Sequence, residues 1–272
     1  MSPTTASQGR VLIIAGSDSG GGAGIQADIK TVTALGGYAM TAITALTVQN
    51  TQGVFGVHVA PLEIVRDQIR VVMDDLGADA IKTGMLGDIA TVETVAAAMD
   101  EYASGVPAVV DPVMIAKGGA ALLADRAVEA VRSLMLPRAF LATPNAPEAA
   151  RLTGLAVDDL DGQKRAGEAL LKLGARAALL KGGHVPGAMV RDLLATPDGF
   201  IVLESPRIDT AATHGTGCTL ASAIAALIAQ GLPLEQAVRR ARAYLMRAIA
   251  AAPGFGQGHG PLGHGWTVRT DW

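Results

Sequence analysis

The sequence is poor in sulfur bridges, aromatics and charge. One cysteine in 272 residues cannot close an internal disulfide, which suits a reducing cytoplasm. Aromatic residues make up 3%, so any core must be built from Ala, Val, Leu and Ile. Charged residues make up 17% and hydrophobic ones 50%, a balance that excludes a disordered chain. Apolar runs of about 18 residues are missing, so no membrane span is expected despite a mean hydropathy of +0.34. The formal charge of −3 argues against nucleic acid as a partner. Residues 1–9 have neither a basic start nor an apolar stretch; they read as a disordered tail rather than a signal peptide. Residues 10–272 then form a single domain, with no linker, repeat or charge block to divide it.

What is present is an alternation of short apolar runs with helical stretches. Strands are expected at Arg10–Ala15, Ala42–Val48, Val54–Val59, Ala80–Thr83, Ala108–Val110, Phe140–Ala142 and Ala177–Lys181. Helices are expected at Ile25–Leu35, Pro61–Leu76, Ile89–Tyr102, Asp125–Leu134, Ala146–Thr153, Gln163–Leu173, Cys218–Gln230 and Leu234–Ala251. Val190–Leu194 and Ile201–Glu204 flank Thr-Pro-Asp-Gly and read as an edge hairpin. The pattern predicts an α/β fold with a mainly parallel sheet covered on both faces, in which ligands bind beyond the carboxyl ends of the strands.

Four stretches lie at such ends. Gly16–Gly24 is glycine-rich, and Gly22–Ala27 fits G-x-G-x-x-A. The acid that a dinucleotide ribose needs is missing after the next strand, and no Gly-Lys-Ser/Thr follows. A tight turn and a loop for a small ligand both remain open. Asp111-Pro112-Val113-Met114 sets a carboxylate where Mg²⁺ could be held, or is simply a turn. Asn145 and Glu148 are three apart at a helix start, the spacing of a capping box. Thr213-His214-Gly215-Thr216-Gly217-Cys218 runs into a long apolar helix. Its glycines allow converging N–H groups, and the helix dipole adds positive charge, a nest suited to a transferring phosphoryl group. A thiol at that helix start is expected to fall below its ordinary pKa, although a lone cysteine is commonly an inert core residue.

Together AGSDSGGGAGIQAD (15–28), ITALTVQNTQGV (43–54), IKTGML (81–86), DPVM (111–114), TPNAPEA (143–149), LLKGGH (179–184) and THGTGCTLASAIAA (213–226) resemble the hydroxymethylpyrimidine/phosphomethylpyrimidine kinases of thiamine biosynthesis, members of the ribokinase-like superfamily. Gly-Thr-Gly-Cys, where sugar-kinase relatives carry Gly-Ala-Gly-Asp, is the most diagnostic. The resemblance implies a three-layer α/β/α sandwich and a cytoplasmic, homodimeric kinase using ATP and Mg²⁺. It implies that Gly16, Ala23, Asp28, Gln49, Met85 and Val113 bind the acceptor pyrimidine, Gln49 through its amino and ring-nitrogen edge. Thr143, Asn145, Lys181, Gly182, Thr213 and Gly215 would serve the nucleotide, and Asp111 and Glu148 the metal. Gly215, Gly217, Lys181 and Cys218 would be catalytic, with Cys218 as base. Ala211 and Ala212 stand where relatives often have polar residues, and Gly118-Gly119-Ala120 where they often have Ser-Gly-Asp. His184, His214, His259 and His264 carry no assigned role. The alternatives are a pyridoxal kinase, whose acceptor also bears a hydroxymethyl group on a nitrogen ring, and a catalytically silent pyrimidine sensor.

Overall fold

The structure is a computed structural model that describes residues 8–114, 125–185 and 187–268. Residues 1–7 and the Gly118-Gly119-Ala120 stretch lie outside the described residues. The strands are β1 (Arg10–Asp18), β2 (Tyr38–Gln49), β3 (Val54–Val59), β4 (Ala80–Thr83), β5 (Ala108–Val110), β6 (Leu141–Ala142), β7 (Ala178–Leu180), β8 (Met189–Thr196) and β9 (Gly199–Pro206). The helices are α1 (Gly24–Ala34), α2 (Leu62–Asp75), α3 (Ile89–Tyr102), α4 (Asp125–Ala130), α5 (Ala146–Thr153), α6 (Leu160–Lys172), α7 (Thr216–Ala229) and α8 (Leu234–Ala250).

Among the described residues the strands form one sheet in the order β3-β2-β1-β4-β5-β6-β7-β8-β9. From β2 to β7 the neighbours run parallel; β3 at one edge and β8–β9 at the other are antiparallel. Strand β1 explains the layering. Leu12 and Ile14 point into a core shared with α2, α3, α5 and α6. Val11, Ile13 and Ala15 point into the opposite core with α1, α7 and α8. All five are essentially without solvent exposure, which is why this strand reads as unbroken apolar rather than alternating. Helix α7 is apolar on nearly all sides and rich in alanine, so it lies close against β1, β4 and β5.

Three local differences from the sequence reading have clear causes. Strand β1 runs on to Asp18, because Ser17 and Asp18 pair with Leu46 and Thr47 beyond a bulge. The helix expected at Asp125–Leu134 ends early: α4 passes into a π-turn at Val131–Met135 and a 3-10 turn at Leu136–Arg138, as the chain closes down on Pro137. Helix α6 begins before Gln163, since the Asp159 side chain caps it by accepting the Gly162 N–H at 2.7 Å. Chain order reverses between β1 and β4, which opens a crevice at the carboxyl ends of those strands.

Candidate active site

A cleft of about 490 Å³ lies at that crevice. Its floor is made by the two glycine-rich stretches in contact. Gly215 has φ +80°, and a Cβ there would fall 1.9 Å from the carbonyl oxygen of Gly22, so no side chain fits. Gly215 ends the approach to α7, and Gly215–Cys218 line the cleft. Gly217 is less confined: a Cβ would lie 3.2 Å from Lys181 Nζ and 3.6 Å from Asp111 Oδ2.

The charged wall comes from the ends of β5, β6 and β7. Lys181 Nζ lies 2.8 Å from Asp111 Oδ1 and 3.9 Å from Glu148 Oε2. Burial alone would lower the lysine, but Asp111 and Glu148 outweigh it and raise it. The Glu148 carboxyl is pushed up to about 7 by burial, with Asp111 adding to the rise and Lys181 opposing it. The capping box forms too. Asn145 Oδ1 accepts the Glu148 N–H at 2.9 Å, and Glu148 Oε2 accepts the Asn145 N–H at 2.8 Å. Capping and cleft lining are therefore the same act, since the box turns the Glu148 carboxyl toward Lys181.

On the other side, Gly16, Ala23, Gln49, Met85 and Val113 line the cleft, as do Asn145, Thr213 and Cys218. A Cβ on Gly16 would lie 2.4 Å from the Met85 methyl, so a side chain there must displace the end of Met85. Cys218 is half-buried beside Asp111 and Lys82.

Three expected contacts are not found at the cleft. Asp28 has no exposure; its carboxylate accepts from Lys82 Nζ at 2.8 Å and from Ser222 Oγ at 2.6 Å. It is the counter-charge of a buried lysine, so it does not bind the acceptor. The Thr143 hydroxyl donates to Asp111 Oδ1 at 3.1 Å from a fully buried position, and supports that carboxylate rather than lining the nucleotide side. Gly182 is buried against Arg191, and its N–H goes to Asp192 Oδ1 at 2.7 Å; its neighbours Lys181 and Gly183 do reach the cleft. A fourth expectation is reversed. Burial pushes the Cys218 thiol up to about 11, and Lys82 and the Gly24 N–H only partly offset it. The helix dipole does not overcome desolvation in a site closed by so much apolar wall.

Several site residues escaped the sequence reading. Asp18 closes the first glycine loop: Oδ1 accepts the Gly20 N–H at 2.8 Å, and Oδ2 accepts those of Gly22 and Ala23 at 3.1 and 2.8 Å. His214 Nε2 lies 2.8 Å from the same Oδ2. Burial would raise the Asp18 carboxyl, but His214 and these N–H groups hold it below the usual range. An Asp two residues before a Gly at a strand end is an Asx-turn signal that pointed to the loop. The distal wall of the cleft brings in Val190, Ile208, Leu245 and Met246, with Arg242 bound to Asp192 at 2.7 Å. These come from β8, the segment after β9 and α8, and no local pattern links them. Ala211 and Ala212 bring no polar side chain to this side. Among the described residues no group of three acidic, histidine or cysteine side chains is arranged to hold a metal, and no helix is long and apolar enough to cross a membrane.

The chain is similar to known kinases along most of its length. The family model for phosphomethylpyrimidine kinase matches residues 18–263. The hydroxymethylpyrimidine/phosphomethylpyrimidine kinase of Streptomyces coelicolor is 52% identical over 95% of this chain and 95% of its own. The thiamine biosynthesis bifunctional protein ThiED of Geobacter sulfurreducens is 50% identical over 94% of this chain; the chain spans 52% of that longer protein. Among solved structures, an ADP complex of Bacillus subtilis pyridoxal kinase superposes with a TM-score of 0.88 at 35% identity, covering 95% of this chain and 98% of that one.

Proposed function

The chain belongs to the phosphomethylpyrimidine kinase family, and from that membership we propose that it uses ATP to phosphorylate 4-amino-5-hydroxymethyl-2-methylpyrimidine, first to the monophosphate and then to the diphosphate, in thiamine biosynthesis. The observation that carries this reading is the meeting of the Gly215–Cys218 turn with Lys181, Asp111 and Glu148 in one cleft. That is the equipment of phosphoryl transfer: converging amides, a cation, and two carboxylates.

In this reading the acceptor lies between Gly16, Met85 and Val113, with Gln49 and Ala23 at its edge. The nucleotide takes the side of Asn145, Lys181 and Thr213. The Gly215 and Gly217 amides meet the charge that builds on the transferring group. Asp111 and Glu148 are hard oxygen donors already drawn around one positive charge, that of Lys181. A Mg²⁺ ion sharing these two carboxylates, with phosphate and water oxygens completing its shell, fits the donor set. When bound it would neutralise phosphate charge. Cys218 is our choice for the group that takes the alcohol proton in the first step. The second acceptor is a phosphate, largely ionised above about pH 6, and needs no such help.

We also propose a homodimer in the cytoplasm. The outer β2–β3 edge leaves Leu46, Val48, Phe55 and Val57 at least half exposed (52, 65, 68 and 50%), more apolar surface than an isolated edge tolerates. The deciding assay mixes the protein with ATP, Mg²⁺ and the aminopyrimidine and resolves mono- from diphosphate. Pyridoxal is the comparison acceptor. The higher identity to the pyrimidine kinases leads us to expect the aminopyrimidine to have the larger kcat/KM; a preference for pyridoxal would overturn the assignment.

A further inference from the structure

We infer that His214, held by Asp18, is a positioning residue that fixes the rotation of the Gln49 amide and so sets acceptor specificity. This rests on the acceptor-binding reading of Gln49 given above. Two contacts around Gln49 carry it. At one end, the His214 Nε2 is 2.8 Å from the Asp18 carboxylate and 3.3 Å from Gln49 Nε2; an amide's oxygen and nitrogen are told apart only by their hydrogen-bond partners, and the partners here require the opposite rotation. A carboxylate oxygen only accepts, so His214 Nε2 must bear a hydrogen whatever the state of Nδ1. That one hydrogen goes to Asp18; the longer branch of a three-centre bond can reach the Gln49 amide oxygen, whereas a second N–H donor from Gln49 would oppose it. At the other end, the Thr47 hydroxyl lies 2.9 Å from the Ser17 carbonyl and 3.1 Å from the atom placed as Gln49 Oε1. Its single proton goes to the carbonyl, which can only accept. Thr47 Oγ1 is left as an acceptor, and the Gln49 atom facing it must be the NH₂ group. Both ends independently select one rotation, with the oxygen toward His214 and the nitrogen toward Thr47.

In that rotation Gln49 keeps one N–H and one oxygen lone pair for a ligand, side by side. This is the complement of a ring nitrogen next to an exocyclic amino group. A ring lacking the amino donor leaves the amide oxygen unanswered. The imidazole cannot drift from its post. A Cβ on Gly22 would sit 2.4 Å from His214 Cδ2, so the ring rests directly on that glycine. The His214 backbone N–H donates to the Gly260 carbonyl at 3.2 Å, and Asp18 is itself pinned by three backbone N–H groups.

The test is a double-mutant cycle with His214→Ala and Gln49→Ala, measuring kcat and KM for the aminopyrimidine, for pyridoxal and for ATP. His214→Ala is expected to lower kcat/KM for the aminopyrimidine about tenfold or more, through KM, while the pyridoxal value and the ATP KM hold. His214→Gln, which restores an N–H donor on a chain of similar reach, should recover most of the loss. In the Gln49→Ala background His214→Ala should cost under about twofold more. Should His214→Ala fail to fold, His214→Leu takes its place with the same expectations. Additive losses, or equal losses for both acceptors and ATP, would overturn the inference alone, given an active parent protein. A parent protein inactive toward the aminopyrimidine would sink the proposed function and this inference together.

Discussion

At the residue scale, burial decides the chemistry of the charged and nucleophilic groups. Lys82 and Asp28 illustrate it: both have no exposure and form a 2.8 Å ion pair. Removing one partner of such a pair strands the other charge in a low-dielectric core. Asp28→Ala is therefore expected to cost about 3–5 kcal/mol in urea unfolding; a loss below about 1 kcal/mol would mean the lysine finds water. Cys218 follows the same logic from the opposite side. Its thiol, up to about 11, holds its proton in the free site at neutral pH. Only a base role in the first step predicts a split outcome, in which Cys218→Ala lowers the first phosphorylation about 10²–10⁴-fold and the second by much less. Rates for the two isolated steps check it, and equal losses would refute the assignment. The sequence marked Cys218 as special by its glycine neighbours but misjudged its proton affinity, because the apolar walls that desolvate it come from distant segments. It likewise marked Asp28 within a shared motif without showing that the side chain turns inward to Lys82, 54 positions away.

Elements were more legible than residues. Periodicity located every strand of the parallel sheet and the hairpin at its edge, because each is a short apolar run between turn formers. Blurred ends arose where tertiary pairing extended a strand, as at Asp18, or where crowding tightened a helix into π- and 3-10 turns, as at Val131–Arg138. The start of α7 is the element on which most depends. Its Gly215 has positive φ and touches Gly22, so a methyl group there must push the two glycine loops apart. The left-handed backbone adds about 1–2 kcal/mol for any other residue. Gly215→Ala is expected to lower both phosphorylation steps by at least about 10², in contrast to the selective effect at Cys218. Step-resolved kinetics distinguish the two, and a variant retaining the second step at near full rate would show that the amides do not serve it.

At the scale of the whole molecule, the C-terminal segment is tied to α7 and α8 by contacts that no local pattern foretells. His264, in the C-terminal segment, meets the Thr219 hydroxyl of α7 at 2.9 Å, and its carbonyl accepts from Tyr244 of α8 at 2.9 Å. Burial, with Lys30 nearby, lowers this histidine to about 4. Below its ordinary value near 6.5 the unfolded chain binds a proton that the folded chain refuses, so stability falls as pH drops from about 6.5 to 4, by up to about 3 kcal/mol. Glu148, raised to about 7, works in the opposite direction: its folded form keeps a proton the unfolded chain has lost, so stability falls as pH rises from about 4.5 to 7. The clean measurement is thus a difference. His264→Gln should gain on the parent protein by up to about 3 kcal/mol between pH 6.5 and 4 in urea titrations, and a flat difference would count against a buried neutral imidazole. On the same scale, Val48→Lys with Val57→Lys should halve the solution mass in light scattering if the β2–β3 edge joins two copies; an unchanged mass would place the interface elsewhere.

The C-terminal segment has a temporal consequence. Gly260 and His259 clasp Ala211, His214 and Thr51 through backbone hydrogen bonds, so the β2–β3 turn and the segment leading into α7 are tied by residues that emerge well after both. On a ribosome the sheet can assemble from the amino end as strands emerge, yet the clasp between its loops forms only after those residues leave the exit tunnel. A nascent chain stalled before Gly254 would carry the Gly22–Gly215 and Asp18–His214 contacts but lack the strap from Thr51 to Ala211 and His214, which would arrive in a single late event.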